Sequence, residues 1–116
     1  MMGVLHTMKP LLVTTTCETL EDAKAIARAV LAQKCAACVQ ISAPATSMYW
    51  WNDVIAEEPE FIVTMKSEAK CFDTLCLTIK EHHRYEVPEI IATDIVAGDK
   101  AYLQWLAETL AVNSGE

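Results

Sequence analysis

The sequence predicts an α+β fold with the element order βαββαβ and one further helix at the C-terminus. Apolar, β-branched runs of strand length alternate with segments of helical periodicity, and proline or glycine separates several of them. This order matches the split βαβ, or ferredoxin-like, motif. A chain of 116 residues has room for one core, so we expect a single domain over residues 1–116 with residues 1–10 as a flexible tail.

The first half of the chain predicts one helix between strands. Residues 11–17 are apolar and β-branched, which favours a strand. Thr19 can cap a helix whose third residue is Asp22, a weak form of the capping box, and apolar residues then recur at helical spacing. Residues 38–42 and 46–51 are two further strand-like segments.

A two-residue turn and a third strand come next. Asn52 and Asp53 both tolerate positive φ and can close a hairpin. The strand that follows is strongest over residues 61–65, and Pro59 marks an edge position or a bulge.

The second helix begins at Ser67 or one of its neighbours. Its buried stripe has members at positions i, i+3, i+4 and i+7: Phe72, Leu75, Cys76 and Ile79. Pro88 prevents the helix from continuing, and residues 90–96 predict a fourth strand. Gly98 then turns the chain, and Asp99 caps the last helix.

Charge and composition exclude some classes of protein. Nine basic and 16 acidic residues give a net charge of −7, which repels a phosphate backbone and argues against nucleic acid. No run approaches the ~18 apolar residues of a membrane span. The N-terminus lacks the apolar core of a secretory signal, so we expect a cytoplasmic protein with five reduced cysteines. An apolar share of 53% indicates that a partner subunit covers part of the surface.

His82 and His83 end the second helical segment. Imidazole is a common ligand of copper, zinc and nickel. The alternative is a solvated helix end, where imidazole complements the negative end of the helix dipole. Neighbouring helical side chains point in different directions. His82 and His83 can therefore reach one ion only where the backbone has left helical geometry.

Four ordered motifs give the chain a family resemblance. They are Lys-Cys-Ala-Ala-Cys at 34–38, Ala-Thr-Ser-Met-Tyr-Trp-Trp at 45–51, His-His-Arg-Tyr-Glu-Val-Pro-Glu at 82–89, and Gly-Asp at 98–99 with Tyr-Leu-Gln-Trp-Leu at 102–106. Over about residues 11–110 the chain resembles the CutA divalent-cation tolerance family. The resemblance implies a very stable cytoplasmic homotrimer of ferredoxin-like subunits, with sheets joined edge to edge and a link to copper and other divalent metals.

The resemblance, together with the spacing along the first strand, gives a set of candidate metal ligands: His82, His83, Cys17 and Cys38. Family members with proposed copper sites pair the histidines with a cysteine near the end of the first strand, where this chain has Thr15. Cys17 lies two residues on, on the same face of a regular strand. Arg84 stands where the family commonly has proline, and its charge disfavours protonated imidazoles but also repels a cation. Cys38 matches a family cysteine, although a buried packing role remains open.

A ligand cleft between subunits is a second site that the resemblance implies. Its residues here are Trp51, Lys66, Tyr85 and Glu89, which could hold a small anion or amphipathic ligand, and a structural ion pair between Lys66 and Glu89 is the alternative.

Trp50 and Trp51 face opposite sides of a strand, so we expect at least one to meet a partner subunit. The remaining polar and thiol groups have simpler interpretations: a solvated acidic edge for Glu57, Glu58 and Glu60, and packing for Cys35, Cys71 and Cys76.

Three functional classes follow from these observations. The first is a copper-binding protein of metal tolerance. The second is a signalling module, because the trimeric arrangement resembles that of the PII nitrogen regulators, an analogy of fold alone. The third is an enzyme, but no Ser-His-Asp order, phosphate-binding glycine loop or HExxH motif is present, so we expect no catalysis and no organic cofactor.

Overall fold

The computed structural model describes residues 8–111, and the predicted order of elements is confirmed there. Four strands and three α-helices follow one another within this range: β1 (Pro10–Cys17), α1 (Leu20–Ala32), β2 (Cys38–Trp51), β3 (Val54–Glu68), α2 (Phe72–His82), β4 (Ile91–Asp94) and α3 (Lys100–Ala111). A 3₁₀ turn, Ala69–Cys71, precedes α2. Of the predicted tail, residues 1–7 lie outside the described part, whereas Met8 packs against the core and Pro10 begins β1.

The strands form one antiparallel sheet in the order β2-β3-β1-β4. Helices α1 and α2 pack against each other, and α1 also contacts β1, β2 and β3. The core is closed by apolar side chains that are fully buried: Val13, Ile26, Val30, Val63, Met65, Leu75, Ile79, Leu106 and Leu110. No helix within residues 8–111 combines the length and apolarity that crossing a bilayer needs.

Two predicted helix caps are confirmed. The Thr19 hydroxyl accepts a hydrogen bond from the backbone N–H of Asp22 at 3.0 Å, at the start of α1. Asp99 accepts one from the N–H of Tyr102 at 3.1 Å, at the start of α3. Each bond satisfies a backbone donor that has no partner inside the helix, so local sequence alone fixes where these helices begin.

The hairpin strands are longer than predicted. Residues 38–42 and 46–51 belong to one strand, β2, with an irregular register between Ile41 and Pro44. The Ser42 hydroxyl accepts a hydrogen bond from the N–H of Ile62 at 2.9 Å, which keeps the two strands joined there. The predicted turn is confirmed, because Asn52 and Asp53 have φ values of 50° and 64°.

The start of α2 differs from the prediction. Ser67 does not begin the helix but remains in β3, where its hydroxyl donates to the Cys35 carbonyl oxygen at 2.6 Å. That long-range bond holds the residue extended, so α2 begins only at Phe72. Strand β4 covers Ile91–Asp94 rather than residues 90–96, since its partners on β1 are limited to residues 11–14.

The outer part of the hairpin, residues 44–59, projects beyond the other strands, and we call it the arm. Strand β1 pairs with β3 only from Phe61 onward, so β3 has a single neighbouring strand in the arm and Pro59 lies at an edge, as predicted. The described molecule accordingly measures 55 × 26 × 23 Å. Large apolar side chains of the arm are exposed: Met48, Tyr49, Trp50, Trp51, Val54 and Ile55.

Candidate metal and ligand sites

Polar groups from three elements meet where β1 ends. We call Thr16, Cys17, Glu60, His83 and Tyr85 the β1-end cluster. Cys17 is the last residue of β1 and pairs with Phe61 of β3, so Glu60 lies just past the end of that pairing. Helix α2 ends at His82, and the extended conformation of the next residue carries His83 and Tyr85 back towards the sheet.

Both ring nitrogens of His83 are hydrogen-bonded to the backbone. Nδ1 lies 3.0 Å from the N–H of Tyr85, and Nε2 lies 2.8 Å from the carbonyl oxygen of Thr16. An amide N–H can only donate and a carbonyl oxygen can only accept, so Nδ1 is the acceptor and Nε2 carries the proton. The ring also contacts the Tyr85 ring in a tilted arrangement, with the centroids 4.8 Å apart. In this arrangement His83 has no free lone pair with which to bind a metal.

His82 has the opposite arrangement. Its Nδ1 lies 2.9 Å from the carbonyl oxygen of Thr78, so Nδ1 carries the proton and donates. In the neutral ring, Nε2 is then an unprotonated nitrogen on an exposed side chain. Metal-binding histidines commonly donate their other ring N–H to a carbonyl in this way. The two neighbouring imidazoles are therefore not equivalent, because only the neutral ring of His82 keeps a nitrogen lone pair outside these hydrogen bonds.

Cys17 is buried, with 1% of its surface exposed. Burial raises the pKa of its thiol to about 11, and the negative charges of Asp22 and Glu60 act in the same direction. The thiolate is the metal-binding form, so a metal bound at Cys17 near neutral pH would have to displace a proton.

Cys38 lies far from the histidines along the sheet. It pairs with Lys66 of β3, whereas Cys17 pairs with Phe61, and five residues of strand correspond to roughly 16 Å. Burial raises the pKa of the Tyr102 hydroxyl, and the charge of Cys38 and a hydrogen bond with the Cys38 side chain raise it further. Among residues 8–111, no three His, Cys, Asp or Glu side chains converge on a position that could hold a metal ion.

Glu60 is a functional candidate that the sequence interpretation missed. Glu57 and Glu58 are exposed as predicted, but Glu60 is only 9% exposed and accepts a hydrogen bond from the Tyr85 hydroxyl at 2.8 Å. The solvated interpretation of Glu60 is therefore wrong, because the chain after α2 returns over this end of the sheet. Burial raises the pKa of the Tyr85 hydroxyl, and the bond to Glu60 and its charge raise it further.

Arg84 turns towards helix α1 and forms an ion pair there. Its Nε and Nη2 donate to the two carboxylate oxygens of Asp22 at 2.9 and 3.2 Å. Its Nε also lies 3.9 Å from Oε1 of Glu18. The hydrogen bond from Arg84 lowers the pKa of Asp22. The positive charge that was expected to repel a cation is thus matched by Asp22 in the first turn of α1 and by Glu18 just before the helix.

The predicted cleft residues do not meet within one chain. Trp51 is at the tip of the arm opposite Val54, and Lys66 follows twelve residues along β3, which corresponds to roughly 40 Å. Lys66 donates to the Gln40 side chain at 2.7 Å. Glu89 is exposed, and no ion pair joins it to Lys66 in the described range. A cleft that contains all four residues would need more than one subunit.

The buried thiol of Cys17 predicts a pH dependence of stability. A thiol with an ordinary pKa of 9.0 ionises in the unfolded chain before the folded one, whose pKa is about 11. Stability is therefore fully present below about pH 9 and falls by about 1.4 kcal/mol per pH unit as the pH rises towards 11. Urea unfolding of wild type and Cys17→Val across this range measures the difference, since other titrating groups are common to both. Parallel curves would show that the thiol contributes nothing.

Comparisons with known proteins match this fold and these motifs. The family model described as CutA1 divalent ion tolerance protein matches residues 11–109. The divalent-cation tolerance protein CutA of Thermus thermophilus is 38% identical over 96 residues, which are 83% of this chain and 93% of that protein. The chloroplastic protein CutA 1 of rice is 34% identical over 100 residues, 86% of this chain, and the match spans only 56% of the rice protein.

A solved structure agrees in its fold. The structure titled periplasmic divalent cation tolerance protein CutA from Archaeoglobus fulgidus superposes with a TM-score of 0.84 at 35% identity, covering 87% of this chain and 98% of the other. The family model, the relatives and the shared fold cover nearly the same residues. The chain belongs to the CutA1 divalent ion tolerance family.

Proposed function

We propose that this protein is a cytoplasmic homotrimer that binds copper and contributes to tolerance of divalent metals, without catalysing a reaction. The free Nε2 of His82 is the observation that carries the metal-binding part of the proposal. The names of the family and of its relatives support divalent cations as the ligand class. Imidazole nitrogen suits Cu(II), which also leads the divalent affinity order.

The four ligands predicted from the sequence differ in how ready they are to bind, and the proposal rests on His82. His82 needs no rearrangement, because Nδ1–H is already held by Thr78. His83 would have to give up its bond from Tyr85 or its bond to Thr16. Cys17 would have to lose a proton, and Cys38, at the start of β2, lies five β3 residues away from Cys17 along the sheet. One imidazole alone binds weakly, so the remaining ligands would come from water or from a second subunit.

The trimer is proposed from the arm. Its exposed apolar side chains form a surface of the kind that a partner subunit covers. The alternative of a PII-like module, with a ligand between subunits at Trp51, Lys66, Tyr85 and Glu89, also needs the trimer. The family description favours metal tolerance over that alternative. A cytoplasmic location remains part of the proposal, since the rice relative is named chloroplastic and the Archaeoglobus structure is titled periplasmic.

We expect His82→Ala to weaken copper binding at least about tenfold and His83→Ala to leave the copper stoichiometry unchanged. Calorimetric titration of untagged protein with Cu(II) at pH 7 measures both. The chain has three histidines, and His6 lies outside the described residues, so both variants belong in a His6→Ala background. Equal affinities for the His82→Ala variant and its background would remove His82 as a ligand.

A further inference from the structure

A cavity of about 390 Å³ lies between α2 and the chain segment that follows it. Phe72, Cys76 and Lys80 face it from α2 at four-residue spacing, which places them on one stripe of the helix. Glu86, Val87 and Ile90 line it from the returning chain. None of these residues belongs to the β1-end cluster, so this is a separate site. Its volume is at the lower end of the ~300–1,000 Å³ typical of ligand pockets and suits a small ligand.

The two charged residues at this cavity have opposite signs, and neither has a charged partner within residues 8–111. Lys80 and Glu86 are exposed, and neither side chain forms an ion pair or hydrogen bond with another residue between 8 and 111. In particular they do not pair with each other, although both face the same space. The lysine amine can donate to a carboxylate, and the glutamate can accept from an ammonium group.

The rest of the wall is apolar. Phe72, Val87 and Ile90 contribute ring and aliphatic surface, and Val87 is 86% exposed in the described chain. Such a surface gains free energy when an apolar group covers it. A ligand that contacts both charges and the apolar wall of this open pocket has one anionic group, one cationic group and a compact apolar part.

We propose that the cavity binds an apolar α-amino acid of about the size of leucine. Its carboxylate meets Lys80, its ammonium group meets Glu86, and its side chain packs against Phe72, Val87 and Ile90. A simple monocarboxylate would leave Glu86 beside a like charge, and an amine would do the same with Lys80. The zwitterion neutralises both, which is the charge complementarity that selects this ligand class.

Titration of the full-length untagged protein with L-leucine, followed by ¹⁵N–¹H NMR, tests the proposal. We expect saturable binding of one leucine per chain, with shifts at residues of α2 and of segment 86–90. The analogues 4-methylpentanoate and isopentylamine each lack one charged group and should bind about tenfold more weakly. No saturable shift with leucine would overturn the proposal, including the case in which a second copy of the chain covers the cavity.

Substitutions test the separate roles of the Lys80 and Glu86 charges in leucine binding. Lys80→Gln and Glu86→Gln should each weaken leucine binding about tenfold. Lys70→Gln and Glu81→Gln are matched controls, because both residues are exposed and neither lines the cavity, and they should leave the affinity unchanged. Unchanged leucine affinity in Glu86→Gln would show a monocarboxylate site instead, and equal losses in a control and its matched variant would show a general charge effect. Either result would overturn the proposal.

Discussion

Replacing Trp50 and Trp51 together by glutamate should convert the proposed trimer into monomers. Both indoles are largely exposed within residues 8–111, 72% for Trp50 and 64% for Trp51, so a partner subunit that covers the arm would bury them. Buried interface tryptophans commonly contribute 2 kcal/mol or more each, and charge at the same positions adds a desolvation cost. A loss of about 4 kcal/mol weakens association by about a thousandfold.

Sedimentation velocity at micromolar concentration measures this change directly. The arm lies beyond the part of the sheet that packs on α1, so the variant should keep its far-ultraviolet circular dichroism. Leu77→Glu is a matched control on α2, since Leu77 is 60% exposed and lies outside the arm. A trimer that persists in the double variant would remove the arm from the interface.

Replacing His83 by alanine should lower the free energy of unfolding by about 2–4 kcal/mol. The His82→Ala variant, in contrast, should lose less than about 1 kcal/mol. The imidazole of His83 serves two backbone groups 67 and two residues away, the Thr16 carbonyl and the Tyr85 N–H. Its loss leaves both without a partner in a half-buried place, whereas His82 is exposed and bonds only the Thr78 carbonyl of its own helix. The prediction separates a histidine that holds structure from one that is free to bind metal.

Urea unfolding at one fixed protein concentration is the suitable measurement, because association contributes to apparent stability. Copper titration of the same two variants should give the reverse order, with His82→Ala losing affinity. Equal stabilities of the two histidine variants would contradict the structural role given to the two hydrogen bonds of His83. The pair of measurements therefore distinguishes a ligand effect from a folding effect.

The elements of this fold could be predicted because their signals are local. Thr19, Asp99 and the turn at Asn52 and Asp53 act through bonds or φ angles within four residues. The lengths of β2 and β3 could not be predicted, since pairing across the hairpin continues strand structure through polar and proline-containing sequence. Ser67 shows the same limit, because a partner 32 residues away keeps it in the strand.

The candidate site was predicted by residue type but not by role. Family motifs identified His82, His83 and Tyr85, and the two-residue period of a strand pointed to Cys17, yet nothing in the motif distinguishes one imidazole from its neighbour. Glu60 was missed, because an acidic run has the same composition whether or not one member is buried. A tyrosine placed two residues after His83 was the only sign that a buried acceptor could lie nearby.

The sequence by itself determined the order of the elements, the family, and the two histidines as the residues of interest. Only the tertiary structure decided that His83 is held between Thr16 and Tyr85 while His82 keeps a free nitrogen. The physical reason is that caps, turns and periodicity act between residues close in the chain. A tautomer, a raised thiol pKa and the burial of Glu60 depend on groups that folding alone brings together.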